Sequence, residues 1–186
     1  MNTHGYEIKA FADLRNADLY DADLHKADLY GANLHEADLH GANLRNADLQ
    51  CADLQNADLW NVDLWDADLH GADLRDANLR GANLHGANLR NASLWNADLR
   101  NTDLRNADLH GADLQNADLQ DADLRGADLD YSCWPLWCGS REIKLDSEQI
   151  DQLCLHLYWA IGPRTTIARC IKKQAQRAAT KRRVQL

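Results

Sequence analysis

Two positions in every five are apolar along most of this chain. From Ala12 to Tyr131 the order is Ala, a short polar residue, Leu, then two variable residues, and it recurs 24 times without an insertion. The central Leu runs from Leu14 to Leu129 and is Leu in every unit. The Ala two places before it yields only to Val62 and Thr102, and the residue between is Asp or Asn everywhere except Ser93. A step of five matches neither the helical period of about 3.6 nor the strand period of about 2. On a helix, successive Leu residues would advance by about 500°, a drift of roughly 140°, so no face would collect them. On a flat strand they would alternate between faces. The pattern fits only if each unit is a short extended segment followed by a corner, which lets every Leu and every Ala point inward. Such a period predicts a repeat architecture, and the absence of insertions predicts that no loop projects from it.

Corner chemistry agrees. The second residue after Leu is Gly at 7 positions, Asn at 9 and Asp at 4. These types tolerate turn and left-handed backbone geometry. Lys26, Glu36, Cys51 and Tyr131 are the exceptions.

The phrase A(D/N)LXX, present as ADLRN, ADLYD, ADLHK and GANLHG, resembles the signature of the pentapeptide-repeat proteins. The resemblance implies an all-β solenoid, a right-handed quadrilateral β-helix with four repeats per turn. The central Leu and the small residue before it would fill the interior, and the other three positions would face out. Four units per turn make about six coils from the 24 units. Stacked at about 4.8 Å, they form a rod ~29 Å long. Ala is needed beside the Leu ladder because a larger side chain would overfill the corner.

A solenoid has raw ends that need caps. Residues 1–11 are the expected N-terminal cap, with Tyr6, Ile8 and Phe11 over the first coil; residues 12–131 form the β-helix, and 132–186 a plug and small α-helical C-terminal cap. Trp134 stands where the next central Leu would fall, and Trp137 follows. The stretch DYSCWPLWCGS resembles the ending of bacterial and phage members of the family, where the rod gives way to a small helical tail. Asp146 with Gln149 three residues on is a variant of the capping box. Ile150, Leu153, Cys154, Leu157 and Ile161 then share one helical face. Leu155, Tyr158 and Trp159 make a second apolar patch that predicts packing against the next helix or a homodimer. Trp134, Trp137, Leu155, Tyr158 and Trp159 are therefore the candidate cap or dimer contacts.

Charge sharpens the picture. The net charge of −9 divides into −15 over residues 12–131 and +6 over residues 132–186. Eighteen of the acids are the Asp just before a central Leu. Stacked at about 4.8 Å, neighbouring carboxylates repel by roughly 1 kcal/mol even in water. Fifteen net charges over the rod is about one per 2 Å, against one per roughly 1.7 Å for duplex DNA. Residues 12–73 carry −11, residues 74–96 carry +2 and residues 97–131 carry −6, so an acidic rod with a neutral-to-basic waist is expected. Five Cys, an odd number, suit a reducing compartment. With no signal peptide or apolar span in view, the expected location is cytoplasmic, in a bacterium or a phage-infected cell if the resemblance holds.

A filled Leu interior has no room for a catalytic pocket, and the repeats hold only Ser93 as a serine nucleophile. An enzyme is not expected, and no cofactor is implied. No Thr column supports an ice-binding surface. Cys133 and Cys138, with Cys154, His156 and Cys170 downstream, lack the tighter pairs of zinc sites and read as buried reduced thiols. The preferred reading is a non-enzymatic rod that binds a protein partner. Its candidate acidic surface is Asp13, Asp18, Asp23, Asp28, Asp38, Asp48, Asp53, Asp58, Asp63, Asp68 and Asp73, and its candidate aromatic anchors are Trp60 and Trp65 on adjacent faces of the third coil. The alternative, implied by the resemblance, is a DNA mimic that binds DNA gyrase or a related topoisomerase. A third reading is nucleic-acid contact through the basic tail, at Lys172, Lys173, Lys181, Arg182 and Arg183, which the acidic rod disfavours.

Overall fold

The computed structural model describes residues 2–133 together with Ile143, Leu145 and Asp146. The chain divides into two compact units, Met1–Lys144 and Leu145–Leu186, and the repeats lie in the first. The expectations for Trp134, Trp137, Leu155, Tyr158 and Trp159, and for the helical cap, lie outside the described residues.

The chain opens with an antiparallel hairpin, β1 (Asn2–Thr3) and β2 (Tyr6–Glu7). His4 and Gly5 between them take φ of 51° and 86°, the positive values that a two-residue hairpin turn favours. From Asp13 to Cys133 the chain is a solenoid. Each residue before a central Leu makes a parallel bridge to the residue 20 places on, from Asp13↔Asn33 to Asp113↔Cys133. One turn therefore holds four units, and the rod has four sides.

The backbone is satisfied by a five-step rule, visible in the unit Ala37–Gly41. The Ala37 amide closes the corner onto Leu34 O at 3.0 Å. Asp38 donates back to Ala17 O at 2.9 Å, while Leu39 and Gly41 donate forward to Asp58 O at 2.8 Å and Trp60 O at 2.9 Å. The fifth amide, His40, finds no carbonyl and donates to the Asp38 carboxylate at 3.0 Å. That last bond recurs at 3.0 to 3.4 Å in every unit whose residue before Leu is Asp or Asn. A side chain of this length is thus a structural part of the coil, since an amide left without an acceptor is costly.

The interior is closed. Every central Leu is 2% exposed or less, and the Ala column 6% or less. Each such Leu contributes about 1.5–3 kcal/mol by leaving water. Thr102 keeps its place in the Ala column by donating its hydroxyl to Leu99 O at 2.7 Å.

All 24 corners adopt positive φ, including Lys26 (56°), Glu36 (57°), Cys51 (56°) and Tyr131 (58°). The stacked ladder holds these four in a conformation their side chains disfavour. At Gly41 and Gly81 a second constraint joins the first. A Cβ there would lie 2.2 Å from Asp21 Oδ1 and 2.3 Å from Asn61 Oδ1, because the corner side chain of the preceding coil folds over the glycine.

At the N-terminal edge, the hairpin meets the first coil at Asp18. The Asp18 amide donates to the Tyr6 hydroxyl at 3.3 Å, and the His4 ring nitrogen Nδ1 lies 3.2 Å from Asp18 O. Ile8 is buried, whereas Phe11 is 71% exposed and lies over Gly31 and edge-on to Tyr30 at 5.3 Å. Phe11 therefore shields one corner of the rod from outside and does not plug its end.

Candidate interaction surface

The four sides divide the candidate carboxylates. Asp13, Asp53 and Asp73 share one side with Asn33; Asp18, Asp38 and Asp58 share the second; Asp23 and Asp63 flank Asn43 on the third; Asp28, Asp48 and Asp68 share the fourth. A partner lying on one side meets three of them at most. The candidates do not form a single surface.

Two devices relieve the columns. Asn residues donate to the Asp one coil earlier, as Asn43 does to Asp23 (3.0 Å), Asn78 to Asp58 (2.9 Å), Asn83 to Asp63 (2.9 Å) and Asn88 to Asp68 (2.9 Å). Arginines supply the rest. Arg15, Arg75, Arg100, Arg105 and Arg125 each grip the Asp of their own unit, while Arg45 reaches Asp63 at 3.3 Å and Arg90 reaches Asp108 at 3.1 Å across coils. The Arg100 and Arg105 guanidiniums hold Asp98 and Asp103 below the usual carboxylate range against the opposing effect of burial. At Asp73 burial pushes the carboxyl up, and hydrogen bonds from Arg75 outweigh it, so the net direction is down.

These partners are unevenly placed. Of the acids in residues 12–73, only Asp13, Asp63 and Asp73 have an arginine partner among the described residues, and Glu36 lies 3.7 Å from the His35 ring, which leaves ten with neither. In residues 97–131 five of the nine acids, Asp98, Asp103, Asp108, Asp118 and Asp123, are paired among the described residues, and Asp113, Asp121, Asp128 and Asp130 are not. Uncompensated negative charge therefore concentrates on the first three coils.

Trp60 and Trp65 lie on adjacent sides, in different surroundings. Trp60 is 40% exposed and packs against His40 with ring centres 4.3 Å apart and the planes tilted by 56°; His40 in turn meets Tyr20 edge-on at 5.0 Å. Trp65 is half-buried beneath the Arg45 guanidinium, 4.3 Å from its ring centre. Of the two, Trp60 is the more exposed. Trp60, Asn78, Arg80, Asp98 and Arg100 line a shallow, open depression of about 250 Å³. His40 and Arg80 do not stand out in the linear sequence. The signal that finds them is the register of twenty, which sets Tyr20, His40, Trp60 and Arg80 in one column. Among the described residues, no helix is long and apolar enough to cross a membrane.

The profile described as Pentapeptide repeats matches residues 12–50, 47–86, 82–121 and 92–130. The chain is 36% identical to Rfr23, a pentapeptide repeat protein from the cyanobacterium Cyanothece 51142, over 50% of this chain and 63% of that one, with a TM-score of 0.49. It is 38% identical to HetL from the cyanobacterium Nostoc sp. strain PCC 7120, a protein involved in heterocyst differentiation regulation, over 68% of this chain and 59% of that one, with a TM-score of 0.38. It is 20% identical to QnrB1, a plasmid-mediated fluoroquinolone resistance protein, over 76% of this chain and 85% of that one, with a TM-score of 0.31. The chain spans about six tenths of the length of the first two. No curated protein matches it. With the repeat profile covering residues 12–130, the chain belongs to the pentapeptide-repeat family, whose fold is a right-handed β-helix solenoid.

Proposed function

We propose that this protein is a non-enzymatic interaction scaffold, a rigid acidic rod of about six coils that binds a protein partner through its first three coils. The supporting observation is the set of ten carboxylates in residues 12–73 without a cationic partner among the described residues. Arginine or Asn lies beside most of the remaining columns. A surface that must only stay soluble has no need to gather its unpaired charge at one end. The closed leucine interior leaves the outside as the place where chemistry can occur. The test is affinity capture with the wild-type rod and with a variant in which the eleven Asp that precede a central Leu in residues 13–73 become Asn. A partner held by the wild type, lost with the variant and released by salt supports the reading. Equal retention by both contradicts it.

A second reading is DNA mimicry toward DNA gyrase or a related topoisomerase. The net charge of the repeats favours it, at about one charge per 2 Å of axis against roughly 1.7 Å in duplex DNA. The arginine-rich waist opposes it. A supercoiling assay with bacterial gyrase decides: inhibition, protection from quinolones or direct binding supports mimicry, and none of these leaves the scaffold alone.

A further inference from the structure

The second side of the rod combines features that the other three do not share. Its variable column is Tyr20, His40, Trp60, Arg80, Arg100 and Gln120. The first three rings form one continuous ladder, at 5.0 Å and then 4.3 Å between centres, with Tyr20 47% and Trp60 40% exposed. Asp18, Asp38 and Asp58 run beside that ladder without a cationic partner among the described residues. On the fourth side, by contrast, Gln50 separates Tyr30 from His70 and breaks the ladder.

Beyond Trp60 the charge of the side balances, with Arg80 and Arg100 against Asp98 and Asp118. Asn78 stands where the column would carry Asp, and Arg80 makes no ion pair among the described residues, unlike the other seven arginines of residues 12–131. Asp98, which lines the depression beside it, is already held by Arg100. The depression therefore keeps the Arg80 charge. At about 250 Å³ and open to solvent it is smaller than the ~300 Å³ where ligand pockets begin, so it suits a side chain better than a small molecule.

We propose that this side is the docking face, and that its occupant is a protein segment carrying a run of Lys or Arg followed by a carboxylate. The cations lie against Asp38 and Asp58 and over the exposed ring of Trp60. The carboxylate sits in the depression on Arg80. The inference rests on the scaffold reading above and adds the side used and the chemistry of the partner. Charge alone does not select a side, because an exposed ion pair contributes little. A cation over an aromatic face adds a second attraction that the bare carboxylate columns lack. Duplex DNA is repelled by the acidic half of this side. A uniformly basic groove leaves Arg80 unmatched.

The test uses the full chain and two labelled peptides, read by fluorescence anisotropy at low salt. One has six Lys followed by three Glu; the other has the same residues interspersed. The expected result is tighter binding of the block peptide, by about fivefold, and loss of that preference in Arg80→Gln. Asp38→Asn with Asp58→Asn weakens the block peptide about tenfold, and Trp60→Leu weakens it severalfold. Asp48→Asn with Asp68→Asn, the same charge change on the fourth side, weakens it by less than about twofold. Both Asn pairs keep the acceptor that the coil needs, and circular dichroism checks that the fold is intact. Equal weakening by the two Asp pairs, or equal binding of the two peptides, overturns the choice of side and leaves the scaffold reading standing. Failure of both peptides to bind the wild type overturns both.

Discussion

The Asp before each central Leu serves the coil first and the surface second, and the two roles separate by mutation. Consider Asp53, Asp58, Asp63 and Asp68, one on each side of a single coil. Each accepts the amide two residues on, at 3.0, 3.1, 3.2 and 3.0 Å respectively. Changing all four to Asn removes four charges and keeps four acceptors. Changing all four to Ala removes the charges and the acceptors together. The difference between the two variants therefore isolates the hydrogen bonds. At about 1 kcal/mol for each lost bond, the Ala variant is less stable than the Asn variant by about 4 kcal/mol. Loss of the Asn78, Asn83 and Asn88 amide contacts adds to that figure. The Asn variant itself stays within about 2 kcal/mol of the wild type, since relief of column repulsion offsets the lost Arg45–Asp63 pair. The assay is urea unfolding followed by circular dichroism. With a slope of about 2 kcal/mol per molar, the two midpoints should lie about 2 M apart. Coincident midpoints for the Ala and Asn variants would refute the structural role of this side chain.

Three further outcomes are expected. Leu74→Ala, at a site that is fully buried in the middle of the ladder, should cost about 3–5 kcal/mol in the same assay, with an exposed control such as Gln115→Ala near zero. Ser93→Asn should stabilise the rod by up to about 1 kcal/mol, because Ser93 is the residue before a central Leu that makes no bond to the amide two residues on, and Asn restores the acceptor for Trp95. Acid should unfold the rod in a way that depends on its arginines. The carboxyls of Asp98 and Asp103 have depressed folded values, so their contribution is fully present above the ordinary unfolded value of about 3.9 and is lost as pH falls through the folded values. Arg100→Gln with Arg105→Gln should flatten that acid limb of the melting temperature against pH, and an unchanged limb would contradict the pairing.

The interior was legible because its rule is strict. One Leu in five leaves a single way to bury them all, and Val62 and Thr102 are buried in the Ala column, Thr102 with its hydroxyl on Leu99 O. The corners were legible from Gly, Asn and Asp, and the four unlikely ones, Lys26, Glu36, Cys51 and Tyr131, follow because a stacked ladder overrides local preference. The role of the Asp column was harder to see, since a charge count looks the same whether a carboxylate binds an amide or faces a partner. The pairing of arginines depends on reach: Arg75 turns to its own unit and Arg90 to the next coil, though both occupy the same position in the repeat. Nothing in the linear order sets Arg80 apart until Asn78 and Trp60 are placed beside it.

Amide hydrogen exchange tests the central claim most directly. From Leu14 to Leu114 each central Leu amide donates to the next coil inside a closed ladder, and the amide after it, Trp95 apart, donates to a side-chain oxygen at the surface. Between residues 34 and 104, the Leu amides should therefore exchange only through global unfolding, and the amides that follow them much faster, in a pattern that repeats every five residues. A protection pattern without that period, or Leu amides that exchange as readily as their successors, would contradict the closed coil on which every functional inference stands.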